Sequence, residues 1–433
     1  MGFFSGKGFV QIQSKKELTN TKQIKEFLNP ETVALTMGPD PFEILVAVGD
    51  KVKIGTKIAH REAPFYVPIF ASVSGTVTAI ELRDHPSLKK TNHVVIENDF
   101  KEEEEPLFAG TDVSSLNTLS PEEIKERLKQ LGVVGLGGAG FPAYVKFSKT
   151  DGIEQIIVNG VECEPYITSD EMGMKESSHL LVNGLLALTR AAGAKKGVIA
   201  IKEGKPELLA KLKEHASGEI EVRTVPDVYP SGWEKFLVKN LTGKDYDRLP
   251  GEVGCIVMNS STVIEFARSL TTGLPVHTRL VTISGEGVKD PSTVRIKIGT
   301  KLAEVIEKIG GYTDAVTKDS KNSRLIAGGP LMGLPLTNDG VSIGTANNGF
   351  TSLPPTKRDE LPCSRCGACV VNCPKGLQPI QILKAHKNKD TELLEKLGAR
   401  ECISCGICSF VCPSFIEVAD AATRAKQSLL AKK

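Results

Sequence analysis

Eight of the ten cysteines in this 433-residue chain fall into two runs near its carboxyl end. The first is Cys363-x2-Cys366-x2-Cys369-x3-Cys373, followed by Pro374. The second is Cys402-x2-Cys405-x2-Cys408-x3-Cys412, followed by Pro413. Thiolates at this spacing converge on a [4Fe–4S] cube, and where two such runs are paired the fourth cysteine ligates the other cluster. The expected ligand sets are therefore Cys363, Cys366, Cys369 with Cys412, and Cys402, Cys405, Cys408 with Cys373. The chemistry implied is one-electron transfer. Zinc is the rival reading, but a zinc site closes with four ligands and needs neither a third cysteine two residues on nor the proline. A disulfide framework belongs to small secreted domains, and no signal peptide is read at the start of this chain. Cys163 and Cys255 stand alone; Cys255, in the apolar stretch Cys255-Ile256-Val257-Met258, is expected to be buried and inert.

A second group of residues suits an anion. Gly135-x-Gly137-Gly138-Ala139-Gly140-Phe141-Pro142 is dense in glycine, so backbone N–H groups can approach a phosphate with no side chain in the way. The loop follows a predicted helix rather than a strand, and no Gly-Lys-Ser/Thr ends it, so it meets neither standard phosphate-binding fingerprint. The pattern alone leaves a Rossmann turn, another phosphate loop and a tight structural turn all open. Asn159-Gly160-Val161-Glu162-Cys163-Glu164-Pro165 then sets an amide and two acids after an apolar stretch. Tyr229-Pro230-Ser231-Gly232-Trp233-Glu234 adds aromatic, glycine and acid together. Taken singly, each of these two is also readable as a solvated loop.

Elements must position these groups, and at this length two to four domains are expected. Charge is near balance, with 54 Lys and Arg against 52 Asp and Glu. With no basic stripe of interleaved aromatics, nucleic acid is excluded as a partner. No apolar run approaches the roughly 18 residues needed to span a bilayer. The start, Met1 to Ser5, misses the myristoylation pattern by one position. Residues 1–31 are an N-terminal segment. Residues 32–100 read as short strands with glycine at the turns. Lys101-Glu102-Glu103-Glu104-Glu105-Pro106 opens a solvated linker over 101–119, with an acidic docking patch as the alternative. Ser120-Pro121-Glu122-Glu123 starts a helix predicted to run to about Leu131. Across 120–278, strands at 156–158 and 197–201 alternate with helices at 176–192 and 206–215, an α/β pattern. Residues 279–350 read as a hairpin around Asp290-Pro291, a helix at 302–309 and a further strand, which is a β-grasp order. The cluster domain occupies 355–433, with a helical stretch at 378–399.

Three resemblances join these pieces. Residues 32–100 resemble the lipoyl/biotinyl barrel-sandwich hybrid. Carrier members place a modified lysine at a hairpin tip; here the tip is Glu62-Ala63-Pro64-Phe65, which implies that the fold is kept and the carrier role absent. The central domain resembles the flavin-carrying NADH dehydrogenase subunit of respiratory complex I. That family has a Gly-Gly-Ala-Gly-Phe-Pro loop followed by a lysine, here Lys146. Its Asn-x-x-Glu-x-Glu-Pro is matched by Asn159, Glu162 and Glu164, and its Tyr-x-x-Gly-x-Glu by Tyr229, Gly232 and Glu234. A later asparagine is matched by Asn259. The resemblance implies that these residues, with Gly135, Gly137, Gly138, Ala139, Gly140 and Phe141, cradle FMN and the NADH that stacks on it. Val161 stands where that family has an acid, so FMN is implied more directly than NAD(H). The alternative for Glu162 and Glu164 is a pair of loop acids capping a helix that begins near Asp170.

The order of modules is similar to that of the RnfC family: barrel-sandwich hybrid, complex-I-flavoprotein-like α/β FMN domain, SLBB-type β-grasp, helical two-cluster ferredoxin domain. This multidomain α/β resemblance covers nearly the whole chain. It implies an NADH/ferredoxin oxidoreductase subunit that passes electrons between NAD(H) and two [4Fe–4S] clusters through FMN. The implied partners are the other subunits of a membrane-bound, ion-translocating electron transport complex and ferredoxin-type carriers, at the cytoplasmic inner face of the cell membrane. The stretches Gly6-Lys7-Gly8-Phe9-Val10 and Met37-Gly38-Pro39-Asp40-Pro41 depart from the family's usual motifs. They leave open a soluble reductase feeding a dedicated acceptor, of proline-reductase or cobalamin-reductase type. A relay module that binds no nucleotide, with a purely structural glycine loop, is the third reading.

Overall fold

The computed structural model describes residues 8–38, 40–86, 90–138, 140–356 and 359–431. Met1 to Lys7, Pro39 and, from the glycine loop, Ala139 lie outside them.

β-Branched residues separated by turn glycines fold into two small antiparallel sheets. One runs in the order Thr32–Thr36, Lys90–Asn98, Gly75–Asp84, Lys51–Val52. The other runs Glu43–Ile44, Lys57–Arg61, Val67–Phe70. Val33, Leu35, Ile58, Val73, Val77 and Val94 fill the space between them. The tip joining Arg61 to Val67 is docked. Phe65 meets the ring of Phe141 edge-on, with centroids 5.5 Å apart. The Tyr66 N–H donates to the Tyr144 hydroxyl at 3.1 Å. The barrel thus leans on the glycine loop through the very turn that carriers leave free.

The acidic run after the barrel is fastened along its backbone. The Ile54 N–H donates to the Glu103 carbonyl and the Glu105 N–H to the Ile54 carbonyl, both at 2.8 Å. Lys53 and Lys297 pair with Glu103 and Glu102 at 3.1 and 2.5 Å. The side chains stay exposed, as a solvated linker requires, but the segment is an added edge on the barrel.

The α/β domain opens as expected. The Ser120 hydroxyl accepts from the Glu123 N–H, and the Glu123 carboxylate accepts from the Ser120 N–H, ahead of the helix Pro121–Gln130. Such a box contributes about 1 kcal/mol. Four parallel strands follow in the order Ile220–Val225, Lys196–Lys202, Gln155–Gly160, Cys255–Asn259. Their apolar faces are both covered, one by the helices Ser178–Ala191 and Ser260–Thr272, the other by Glu234–Thr242 and part of the cluster domain. The helix predicted over 176–192 is found as Ser178–Ala191, and a shorter helix, Ser169–Glu176, precedes it, the two parted at Ser177 with φ −124° and ψ 38°. The polar sequence Glu176-Ser177-Ser178 favours ends over interiors.

The β-grasp sheet has six strands, and its edge strand comes from the N-terminal segment. Lys25–Phe27 pairs in parallel with Ser292–Lys297. Thr278–Ser284, Gly349–Leu353, Arg324–Ala327 and Leu334–Leu336 complete the order. The sheet therefore reaches back before residue 31 and on past residue 350. In the last domain, Pro379–Lys387 and Val418–Leu430 pack through Ile382, Ala385, Ala422, Ala425 and Leu429. No helix among the described residues is long and apolar enough to cross a membrane.

A docked tip without lysine offers a ligase neither its nucleophile nor its access. The intact mass of the purified polypeptide is expected to show no lipoyl or biotinyl increment; such an increment reverses this reading of the barrel.

Candidate functional site

In a parallel sheet, ligands bind beyond the carboxyl ends of the strands, where the strand order reverses. Here that point lies between Gln155–Gly160 and Cys255–Asn259. Asn159 and Asn259 are register partners at those two ends. Above them opens a cavity of about 1010 Å³. The glycine loop contributes Gly135, Gly137, Gly138, Gly140 and Phe141, and the short helix after it Lys146. Asn159, Glu162, Glu164 and Asn259 line the strand ends. Gly232 and Glu234 line a third side. The barrel adds Met37 and Arg61, and the β-grasp adds Gly329 and Met332, so three domains share one cavity.

The loop is held in shape by its own backbone. The Gly135 N–H donates to the Phe141 carbonyl at 2.8 Å and the Gly140 N–H to the Gly135 carbonyl at 3.0 Å. The Leu136 N–H donates to the Thr262 hydroxyl at 2.9 Å. The Gly140 amide is thus spent on the turn. Gly138 and Gly140 have φ +107° and +61°, which a side chain would strain. A Cβ at Gly137 would sit 3.0 Å from the Asn259 amide nitrogen. Bare backbone facing a cavity is a cradle that fits the phosphate end of a flavin nucleotide. Beneath the loop, the buried Arg279 donates to the Leu136 carbonyl at 2.9 Å. Nothing in the pattern around Arg279 announced that role.

Lys146 donates from Nζ to the Val257 carbonyl at 2.7 Å and stands 3.8 Å from Glu234. Burial lowers its pKa, and Glu234 works against that. Asn159 donates to the Gly232 carbonyl at 2.8 Å, which fixes the third wall on the sheet. Asn259 caps the helix Ser260–Thr272 and donates to Asp170 at 2.7 Å.

The two acids have different settings. Glu162 has φ +40°, uncommon for a residue with a Cβ and a mark of functional sites. Its carboxylate accepts from the Asp170 N–H at 2.8 Å and the Glu171 N–H at 3.3 Å, so it does cap the helix Ser169–Glu176. Glu164 caps nothing there. It accepts from the Leu331 and Met332 N–H groups of the β-grasp at 3.3 and 2.6 Å. Burial pushes both acids up to about 7, against the pull of these donors. The helix-capping alternative thus holds for Glu162 alone, and both acids still line the cavity.

Tyr229, expected to join the site, stands behind its wall, with its hydroxyl hydrogen-bonded to the Glu164 carboxylate. It is buried outside the cavity lining, and its hydroxyl donates to the Cys405 carbonyl at 2.8 Å. It therefore ties the α/β domain to the second cysteine run. Its motif mates Gly232 and Glu234 do face the cavity, because the loop reverses at Pro230 and Ser231.

Around the second run, Cys402, Cys405, Cys408 and Cys373 ring a small cavity walled by Leu377, Ile382, Ile403, Ile407, Ala419 and Ala422. Cys412 is not among them, and Cys412 instead neighbours Cys369. Four cysteines, one from the other run, around an apolar hollow fit a [4Fe–4S] cluster with crossed ligation. Burial pushes Cys405 to about 12, so iron binding must draw out its thiolate. Both loops share one backbone form, with Arg365 and Ser404 at φ +59° and +54° and Gly367 and Gly406 at +75° and +76°. The surroundings differ: Cys363 and Cys366 are exposed, whereas Cys405 is buried. A Cβ at Gly406 would meet the Leu331 carbonyl at 2.5 Å, so the second loop lies directly on the β-grasp turn whose amides hold Glu164.

Four family models match successive stretches: the RnfC barrel sandwich hybrid domain over 4–101, the Nuo51 FMN-binding domain over 128–268, the SLBB domain over 280–335 and the 4Fe-4S dicluster domain over 362–416. The RnfC-type subunit of the Na⁺-translocating ferredoxin:NAD⁺ oxidoreductase complex of Acetobacterium woodii is 31% identical, over 91% of this chain and 90% of its own. Its counterpart in the proton-translocating complex of Clostridium ljungdahlii is 33% identical, over 87% and 83%. The corresponding subunit of the ion-translocating oxidoreductase complex of Rhodobacter capsulatus is 32% identical, over 91% and 77%. Among solved structures, a chain of an NAD⁺-reducing [NiFe]-hydrogenase is similar with a TM-score of 0.50 at 18% identity, over 74% of this chain and 63% of that one. That likeness is one of fold.

The ring of four cysteines yields a direct test. Iron and sulfide are each expected at about eight per chain. Cys373→Ser should remove the paramagnetic signal of the cluster on Cys402, Cys405 and Cys408 and spare the other. Loss of the Cys363–Cys369 cluster instead refutes the crossed assignment.

Proposed function

The chain belongs to the RnfC family, whose members are subunits of ion-translocating ferredoxin:NAD⁺ oxidoreductase complexes, and on that premise we propose that it passes electrons between NAD(H) and two [4Fe–4S] clusters through FMN. One observation carries the reading. The cavity at the strand ends and the cysteine ring are separated by a single layer: Glu164, the amides of Leu331 and Met332, and the Gly406 loop.

FMN supplies the exchange between a hydride pair and single electrons that neither NADH nor a cluster can make alone. The chain's own residues do the placing. Bare backbone at Gly137 and Gly138 receives the phosphate. Lys146, pinned by the Val257 carbonyl, sets a cation against the bound flavin. Glu162 and Glu164 accept hydrogen bonds from ribose hydroxyls of the nicotinamide nucleotide and repel the extra phosphate of NADPH. The barrel tip packs through Phe65 on Phe141, which is part of the cavity wall.

Cys402, Cys405, Cys408 and Cys373 would hold the cluster nearer the cavity, and Cys363, Cys366, Cys369 and Cys412 the more exposed one, so that the pair would supply one-electron steps between the flavin and the protein surface. The acceptors are other subunits of the membrane complex and ferredoxin-type carriers. As a subunit of such a complex, the chain is held by those subunits peripherally at the inner, cytoplasmic face of the cell membrane. Family membership favours this reading over a soluble reductase, and the FMN-binding domain match favours it over a relay without nucleotide.

FMN is expected to be non-covalent, so acid-precipitated holoprotein should release its yellow colour to the supernatant; a yellow pellet contradicts this. Glu162→Gln and Glu164→Gln keep shape and remove charge. With FMN retained, each is expected to raise the KM for NADH by about tenfold in dye reduction, the worth of a hydrogen bond to a charged group, and to narrow the gap to NADPH. Unchanged kinetics for both nucleotides leave these acids a structural role only.

A further inference from the structure

Glu162 has a second face, turned away from the cavity. Behind it lies Lys16, on a short 3₁₀ helix of the N-terminal segment, Lys16–Leu18. Its side chain is 4% exposed and that of Glu162 is 5% exposed, with Nζ 3.4 Å from the carboxylate. Nζ also donates to the Ile167 carbonyl. The segment that carries Lys16 is itself anchored on both sides. Val10 and Tyr229 exchange backbone hydrogen bonds at 3.0 and 2.8 Å, and the Tyr166 N–H donates to the Ser14 carbonyl at 2.8 Å. The Thr19 and Thr168 hydroxyls meet at 2.7 Å.

The other charges packed around this pair are engaged elsewhere. Glu171 is met by Lys205 at 2.7 Å and Lys175 at 3.3 Å. Lys202 is met by Asp227 at 2.6 Å. Asp170 accepts from Asn259 and Ser261 at 2.7 and 2.5 Å. Lys16 is thus the cation assigned to Glu162, and it does not itself line the cavity. Burial drives both members toward their neutral forms, and each charge opposes that in the other.

We infer that Lys16 is a positioning residue for the nicotinamide nucleotide. It holds the Glu162 carboxylate ionised and fixed on the cavity wall, and the preference for NADH over NADPH depends on it. This rests on the role proposed above for Glu162.

A double-mutant cycle in the FMN-loaded, full-length chain tests it, with KM and kcat measured for NADH and NADPH and FMN content assayed throughout. Lys16→Met is expected to raise the KM for NADH about tenfold, to leave kcat nearly unchanged, and to narrow the NADH/NADPH ratio. Lys16→Arg should recover most of that loss. In a Glu162→Gln background, Lys16→Met should add nothing. Equal effects of Lys16→Met in both backgrounds, or an unaltered nucleotide ratio, overturn the inference. If Lys16→Met alone loses FMN or fails to fold, Glu162→Gln in the same chain should restore it, because it removes the uncompensated buried charge; failure to restore counts against the pair. A Glu162→Gln variant indistinguishable from the parent defeats the underlying reading of Glu162 first, and the inference with it.

Discussion

A carboxylate taken out of water must be met by donors, and this chain buries two on one loop, two residues apart. Glu162 is met by a lysine from the N-terminal segment and by the start of the helix Ser169–Glu176. Glu164 is met by two amides of the β-grasp. These demands draw three parts of the chain to one point. The Gly406 loop then rests on Leu331, so the cluster domain joins at the same place. The cavity exists because these partners close around the strand ends, and no single domain contains it.

Such pairs are weak contributors to net stability, since desolvation offsets the attraction. Their leverage lies in specificity. A buried charge left without its partner costs on the order of 3–5 kcal/mol, a large share of an ordinary domain's stability. Wrong docking of the N-terminal segment or of the β-grasp loop would leave one. Hydrophobic contact alone tolerates small slips between domains, whereas these carboxylates do not. The threonine pair Thr19 and Thr168, with Thr168 also meeting Thr293 at 3.0 Å, adds the same kind of register control between segment, α/β domain and β-grasp.

What could be read in the sequence was local. The cysteine spacing states its ligands because a loop of a few residues determines which thiols converge. The Ser120 box, the glycine loop and the parallel strands are likewise written within short windows. What escaped depends on residues far apart in the chain. Lys16 lies 146 positions from Glu162, and its neighbourhood has no pattern of its own. The acidic run after the barrel reads as solvent-facing, and its side chains are, yet its backbone pairs with Ile54, which no composition reveals. Tyr229 sits in a motif whose other members face the cavity, but the reversal at Pro230 and Ser231 puts its ring behind the wall, between Glu164 and Cys405. The helix expected over 176–192 stands as Ser178–Ala191, legible because its apolar period is local, and the polar residues at Ser177 part it from the helix before it.

Gly406 brings a different kind of constraint into view. Its α-carbon lies so close to the Leu331 carbonyl that even a methyl group would push the two loops apart. An electron crossing that layer does so by tunnelling, and tunnelling probability falls exponentially with the width of the gap. On the electron path proposed above, separating the loops by the breadth of one carbon would widen the gap between flavin and cluster and slow transfer across it. At this position glycine answers two demands at once, the left-handed backbone at φ +76° and the closeness of the two loops, and hydrogen in place of a side chain would be the spacer on any current that crosses there.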